Sequence, residues 1–179
     1  AAWGDYDNDN DLDILMAGNL LSRIYSNNGD NTFTEQSGIT LPGITGGSVA
    51  WGDYDNDSDL DILITGSSSS GSNSRIYRNN GDNTFTAQTA VNLTAVSGST
   101  GTWGDYDNDG RLDVAITGKA GATSADIITK FYRNNGNNSF AEQPNLSLEG
   151  VWLSSFAWGD YDNDTKPDIV LTGQNPDYV

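Results

Sequence analysis

The string Trp-Gly-Asp-Tyr-Asp-Asn-Asp occurs four times in 179 residues, beginning at Trp3, Trp51, Trp103 and Trp158. A second pattern runs basic residue, aliphatic or aromatic residue, Tyr, any residue, then Asn-Asn-Gly-x-Asn-x-Phe. It begins at Arg23, Arg75 and Lys130. The tryptophans are 48, 52 and 55 residues apart. From Trp to the basic residue the distances are 20, 24 and 27, and from the basic residue to the next Trp the distance is 28 each time. All length variation therefore lies in one segment of the repeat. A period near 50 residues marks a supersecondary unit that buries its apolar face by stacking on its neighbours.

Each repeat reads as four strands. The first ends in Ala-Trp-Gly-Asp-Tyr or Thr-Trp-Gly-Asp-Tyr. The second is Leu-Asp-Ile-Leu-Ile-Thr-Gly, as at 60–66, and its near-continuous apolar run fits a strand buried on both faces. The third is Arg-Ile-Tyr-Arg-Asn at 75–79, and the fourth Thr-Phe-Thr-Ala-Gln at 84–88. Between the last two, Asn-Asn-Gly supplies residues that tolerate positive φ, a hairpin signal. The expected fold is all-β: β-propeller blades, each a four-stranded antiparallel sheet. A β-sandwich or a β-solenoid is the alternative. Solenoid coils are usually shorter, and a sandwich does not need so regular a long repeat. The expected blades are 1–46, 47–97 and 98–151, with an incomplete blade at 152–179 that breaks off near Tyr178, the counterpart of Tyr25, Tyr77 and Tyr132. About three and a half blades imply part of a larger propeller, completed by further repeats or by another copy. The opening Ala reads as the start of a processed or excised piece, and no signal peptide is visible.

The connection between strands one and two carries the chemistry. Asp stands at loop positions one, three, five and nine in all four copies: Asp5, Asp7, Asp9 and Asp13; Asp53, Asp55, Asp57 and Asp61; Asp105, Asp107, Asp109 and Asp113; Asp160, Asp162, Asp164 and Asp168. Alternate carboxylates in a tight turn converge into an oxygen cage suited to Ca²⁺, one ion per loop and about four in all; Mg²⁺ fits less well because it prefers octahedral, partly hydrated sites. Without a cation, such carboxylates raise one another's pKa. Turn preference alone could explain one Asp/Asn-rich loop, but four copies of one spacing are a stronger signal. Position seven is Asp11, Asp59, Arg111 or Lys166. A cationic side chain cannot ligate a cation, so the common ligand expected there is the backbone carbonyl, as in an EF-hand. Position six is Asn10, Ser58, Gly110 or Thr165. Left-handed backbone suits Asn and Gly and suits Thr poorly, which ranks the third site best formed and the fourth weakest.

These loops and their flanks resemble the FG-GAP or VCBS repeats, the blade units of the integrin α-chain N-terminal propeller and of many secreted bacterial proteins. Trp-Gly stands where integrin repeats have Phe-Gly, and the Gly-Ala-Pro triplet is absent, so the bacterial-type version is the nearer match. The resemblance covers essentially the whole chain. It implies a calcium-stabilised, typically seven-bladed propeller outside the cell, with the loop aspartates as ligands. It names no partner.

Composition narrows the function. There are 25 acidic and 8 basic residues, a formal charge of −17, no His and no Cys. Such a charge argues against nucleic acid or an anionic membrane as partner. Thiolate chemistry, the usual zinc sites and His-dependent triads are excluded. No apolar run is long enough to span a membrane. Eighteen of the acidic residues lie in the four loops, so the charge is mostly a count of metal ligands. No nucleophile–base pair is visible. The expected function is a non-catalytic, extracellular adhesion or recognition module for a protein or glycan. A propeller-type lectin and a structural or filament-forming subunit are the alternatives.

The variable two–three connections are 19–22, 67–74 and 119–129. They lie on the blade face opposite the aspartate loops, the expected partner-binding face. Inter-blade packing is expected for the four repeat tryptophans, and an exposed contact for Trp152. Arg23, Arg75 and Lys130 are expected to pair with acidic loops or to protect an edge. Asn-x-Ser/Thr sequons at Asn56, Asn92, Asn137, Asn145 and Asn163 are short enough to arise by chance in this composition.

Overall fold

A computed structural model describes residues 1–146 and 148–175. Tyr178 and the Ser147 of one sequon lie outside the described residues. Strands β1 (Ala2–Gly4), β2 (Asp13–Gly18), β3 (Leu21–Asn27) and β4 (Phe33–Glu35) form the first blade. Strands β5 (Ile44–Gly52), β6 (Asp61–Ser68), β7 (Gly71–Asn79) and β8 (Phe85–Ala87) form the second. The third consists of β9 (Ser97–Gly104), β10 (Asp113–Lys119), β11 (Ile127–Asn134) and β12 (Phe140–Glu142). Strands β13 (Trp152–Gly159) and β14 (Asp168–Gln174) begin a fourth. Every pairing within a blade is antiparallel and joins chain neighbours. The chain is thus a run of propeller blades. One detail departs from four separate sheets: a pairing of Leu21 with Ile44 joins β3 to β5 and links the first two blades into one sheet. Among the described residues the helical content is one 3₁₀ turn, Ser124–Asp126, in the longest two–three connection.

The core lies between blades rather than within them. One buried cluster brings Tyr6, Leu15 and Ile24 of the first blade against Ile44, Val49, Ile62 and Ile64 of the second. The other brings Tyr54, Leu63 and Ile76 of the second against Val96, Trp103, Val114 and Ile116 of the third. Strand β6 shows why its sequence lacks polar alternation. Successive side chains point to opposite faces, so Ile62 and Ile64 serve one interface and Leu63 the other. In β2, by contrast, Leu15 is buried and Met16 is 48% exposed.

The Trp-Gly dipeptide interlocks the blades. Trp51 stacks on Tyr6 of the preceding loop, centroids 5.9 Å apart, and Trp103 stacks likewise on Tyr54. The glycine after each tryptophan makes room for the next one. A Cβ on Gly4 would lie 2.8 Å from the Trp51 ring, and one on Gly52 would lie 2.6 Å from Trp103. Gly104 meets Trp158 in the same way. The expectation of inter-blade packing therefore holds for Trp51, Trp103 and Trp158, while Trp3 is 61% exposed on the outer face of the first blade. Trp152 is not the free contact expected of it. It is half-buried on blade three, with Lys119 Nζ 3.2 Å from its ring centroid.

Candidate metal centres

In each loop the position-one aspartate folds the turn onto itself. Asp5 accepts the backbone N–H groups of Asp9 and Asn10, each at 3.0 Å. Asp53, Asp105 and Asp160 do the same in their loops. The position-five carboxylate accepts the N–H of position seven, as Asp9 does from Asp11. These short bonds are the local reason the chain turns here. Two residues per loop must take left-handed backbone. At position four these are Asn8, Asn56, Asn108 and Asn163, with φ of 60, 58, 55 and 60°. At position six they are Asn10, Ser58, Gly110 and Thr165, with φ of 74, 76, 83 and 72°. Position six behaves as the spacing requires even where the residue is Thr. The demand at position four is an addition to the sequence reading, and the Asn that stands there in all four copies was its signal.

The position-nine aspartate anchors the loop to the blade. Asp13, Asp61 and Asp113 are fully buried. Asp61 accepts the Tyr54 N–H at 3.1 Å and the Asn79 N–H at 2.8 Å, so it ties its loop to strand three. Asp13 and Asp113 repeat the pattern. Burial pushes Asp61 up to about 7 and Asp113 up to about 6, against the opposing pull of those N–H bonds and with help from neighbouring aspartates. Burial likewise raises Asp7 and Asp55, and like charge in the same loop adds to it. These carboxylates are held where the charged form is costly.

Carboxylate oxygens converge within 4.8 Å of one another at Asp5, Asp7 and Asp13; at Asp53, Asp55 and Asp57; at Asp105, Asp107 and Asp113; and at Asp160, Asp162 and Asp168. The convergent set is positions one, three and nine in three loops and one, three and five in the second. Position five accepts the position-seven N–H in all four loops, and in the second loop it joins the convergent set as well. Side chains at position seven stay outside the convergent sets: Asp59 accepts from Asn8 at 2.8 Å, Arg111 Nε donates to the Asn134 carbonyl at 2.9 Å while its other end pairs with Asp109, and Lys166 pairs with Asp164, the position-five aspartate of its own loop, at 3.1 Å. Asp11 lies against Gly29.

The donor set fits a hard cation. Every convergent atom is oxygen, and Asp7 Oδ1 and Asp55 Oδ1 are buried with no hydrogen-bond donor. A buried carboxylate oxygen without a partner is costly, and a bound cation would remove that cost.

Two cations of the chain itself reach these sites, and the sequence did not single them out. Arg78 spans Asp55 at 2.6 Å and Asp57 at 2.7 Å. Arg133 spans Asp107 at 2.6 Å and Asp109 at 3.0 Å. Arg111 also pairs with Asp109. For Asp109 the upward push of desolvation is outweighed by Arg133, the Arg111 N–H and both guanidinium charges, and its carboxyl lies below the ordinary range. Arg78 and Arg133 occupy the variable position after the motif Tyr, where the first repeat has Ser26. The basic residues that open the motif pair elsewhere: Arg23 with Glu35 at 2.8 Å and Lys130 with Glu142 at 2.9 Å, both across to strand four. Arg75 donates to the Gln88 carbonyl at 3.4 Å. The expected pairing with the acidic loops is thus corrected: these residues lie opposite Met16, Ile64 and Ile116, four residues and about 13 Å along the strand from the Asn that reaches the loops.

The profile of the FG-GAP-like repeat family matches residues 5–64, 59–116 and 117–171. No curated protein matches the chain. Among solved structures, an Agrocybe aegerita lectin described by its specific recognition of non-reducing terminal N-acetylglucosamine superposes with a TM-score of 0.64 at 22% identity. The match covers 94% of this chain and 45% of that one, so this chain spans less than half the length of the lectin. Three consecutive profile matches over loops and strands of this geometry show that the chain belongs to the FG-GAP-like repeat family.

Proposed function

We propose that this chain is a non-catalytic, calcium-binding recognition module of an extracellular β-propeller. The observation that carries the metal reading is the pair of buried, donorless oxygens, Asp7 Oδ1 and Asp55 Oδ1, each inside a convergent carboxylate set. The residues that would hold calcium are the aspartates at positions one, three, five and nine, with the position-seven carbonyl. Bound calcium supplies positive charge and cross-links each loop to its blade. Calcium is favoured over magnesium because the loops offer many protein oxygens and little reason to retain water. Titration calorimetry on metal-stripped protein tests this. About four bound calcium ions are expected, and no heat of binding at millimolar calcium overturns the reading.

Recognition is supported by the family and by the fold shared with a lectin. A carbohydrate partner is the reading this likeness favours over a protein one. The variable connections at 19–22, 67–74 and 119–129, opposite the aspartate loops, are the proposed contact face. Glycan-array binding that disappears with chelator would support it. Calcium-dependent self-assembly without glycan binding would favour the structural alternative.

A further inference from the structure

The four loops share one ligand spacing but not one electrostatic setting. Loop one holds five aspartates, and among the described residues no lysine or arginine pairs with them; Ser26 stands where Arg78 and Arg133 stand in the next two blades. Loop two holds five aspartates and one guanidinium, Arg78, bridging positions three and five. Loop three holds four aspartates and two guanidiniums, Arg133 across positions three and five and Arg111 on position five. The bridging arginines use two of the carboxylates assigned to the metal. Their side chains are 39% and 40% exposed, so they reach the site from solvent and have room to leave it.

We propose that Arg78 and Arg133 are tethered counter-cations, which offset the negative charge of positions three and five while loops two and three are metal-free and oppose calcium entry there. Loading therefore runs in the order loop one, loop two, loop three. This rests on the calcium reading of the same sites. A guanidinium and a divalent ion around one carboxylate pair repel, and partial exposure weakens that repulsion without abolishing it. In return the guanidinium relieves carboxylate repulsion in the metal-free chain, so loops two and three keep their shape at low calcium. Position six alone would rank loop three first; the two guanidiniums reverse that ranking.

The test follows the full chain, metal-stripped and titrated with calcium, by the backbone amide signals of Asn10, Ser58 and Gly110. Each of these N–H groups donates to the position-one aspartate of its own loop, so each reports one site. Asn10 is expected to shift first and Gly110 last. R78S, which installs the residue of the first blade, is expected to tighten the Ser58 site by about tenfold or more and to lower the unfolding temperature in chelator. S26R, which leaves every loop aspartate in place, is expected to weaken the Asn10 site by a similar factor and to raise the unfolding temperature in chelator. Weaker calcium binding at loop two in R78S, or tighter binding at loop one in S26R, overturns the proposal and makes the arginines positioning residues. Coincident loading of all three wild-type loops also overturns it. If calcium moves no amide in the wild type, the calcium reading itself fails, an outcome distinct from a wrong sign in the variants.

Discussion

The side-chain amide of Asn79 donates to the Tyr6 carbonyl at 2.9 Å, joining strand three of the second blade to the aspartate loop of the first. The same amide donates to Leu60 in its own loop, and its backbone N–H donates to Asp61. Asn134 makes the equivalent bonds to Tyr54, Leu112 and Asp113. A buried side chain with this many partners is a junction between neighbouring loops. Asn79→Ala is expected to cost about 1–3 kcal/mol, because it leaves buried carbonyls without donors. The amide nitrogen of Asn27 donates within its own blade, to the Leu12 carbonyl, so Asn27→Ala should cost less. Chemical denaturation of both variants checks the difference.

The Trp-Gly interlock sets a second expectation. Gly52→Ala places a methyl against Trp103 and should destabilise by about 1–3 kcal/mol, the usual cost of overpacking. A Cβ at Gly159 would meet nothing within 4 Å, so Gly159→Ala should be close to neutral. Urea midpoints of the two variants would differ clearly if the interlock is real.

Left-handed backbone at position six sets a third. Gly110 has φ of 83° and open space around its Cα, so Gly110→Ala isolates conformational strain from steric contact. A loss of about 1 kcal/mol is expected. Thr165 is a β-branched residue at φ of 72°, so Thr165→Gly should gain about as much. Thermal melts of the metal-free protein measure both.

The buried aspartates set the pH dependence. Asp61 titrates at about 7 in the folded chain and Asp113 at about 6, both above the ordinary value of 3.8. Between the unfolded and folded values the folded chain binds more protons than the unfolded one. The stability of the metal-free protein therefore falls as pH rises through this window, and acidification from about pH 7.5 to about pH 5 should raise its unfolding temperature. Calcium affinity should move the opposite way, since protons and the cation compete for the same carboxylates. A calorimetric pH series with and without calcium reads both signs.

Much of the fold and of the loops was legible because each repeat restates the same local chemistry. The doubly buried character of β6, the hairpin at Asn79–Asn80–Gly81 and the aspartate spacing are all properties of a single repeat. What escaped the sequence joins one repeat to another or one face to another. Asn79 meets Tyr6, and Asn8, Asn56 and Asn108 each reach the next loop, across separations of 51 residues or more. No local period encodes such contacts. Arg78 and Arg133 fell at a position that varies between repeats, and variability hid their role because Ser26 fills the same place in the blade that lacks the ion pair. Trp152 looked free because it lies outside the repeat, yet the charged end of Lys119 covers its ring.

The proposed role of divalent cations in holding these loops is tested most directly by thermal unfolding of the whole chain. A ligand that binds only the folded state stabilises it by about 2.7 kcal/mol per site at a hundredfold excess over Kd. For a domain of this size, one site then raises the midpoint by roughly 5–10 °C. A rise of at least that size is expected on adding calcium to metal-stripped protein, growing with calcium concentration and reversed by chelator. Superimposable melts with calcium and with chelator would contradict the metal reading.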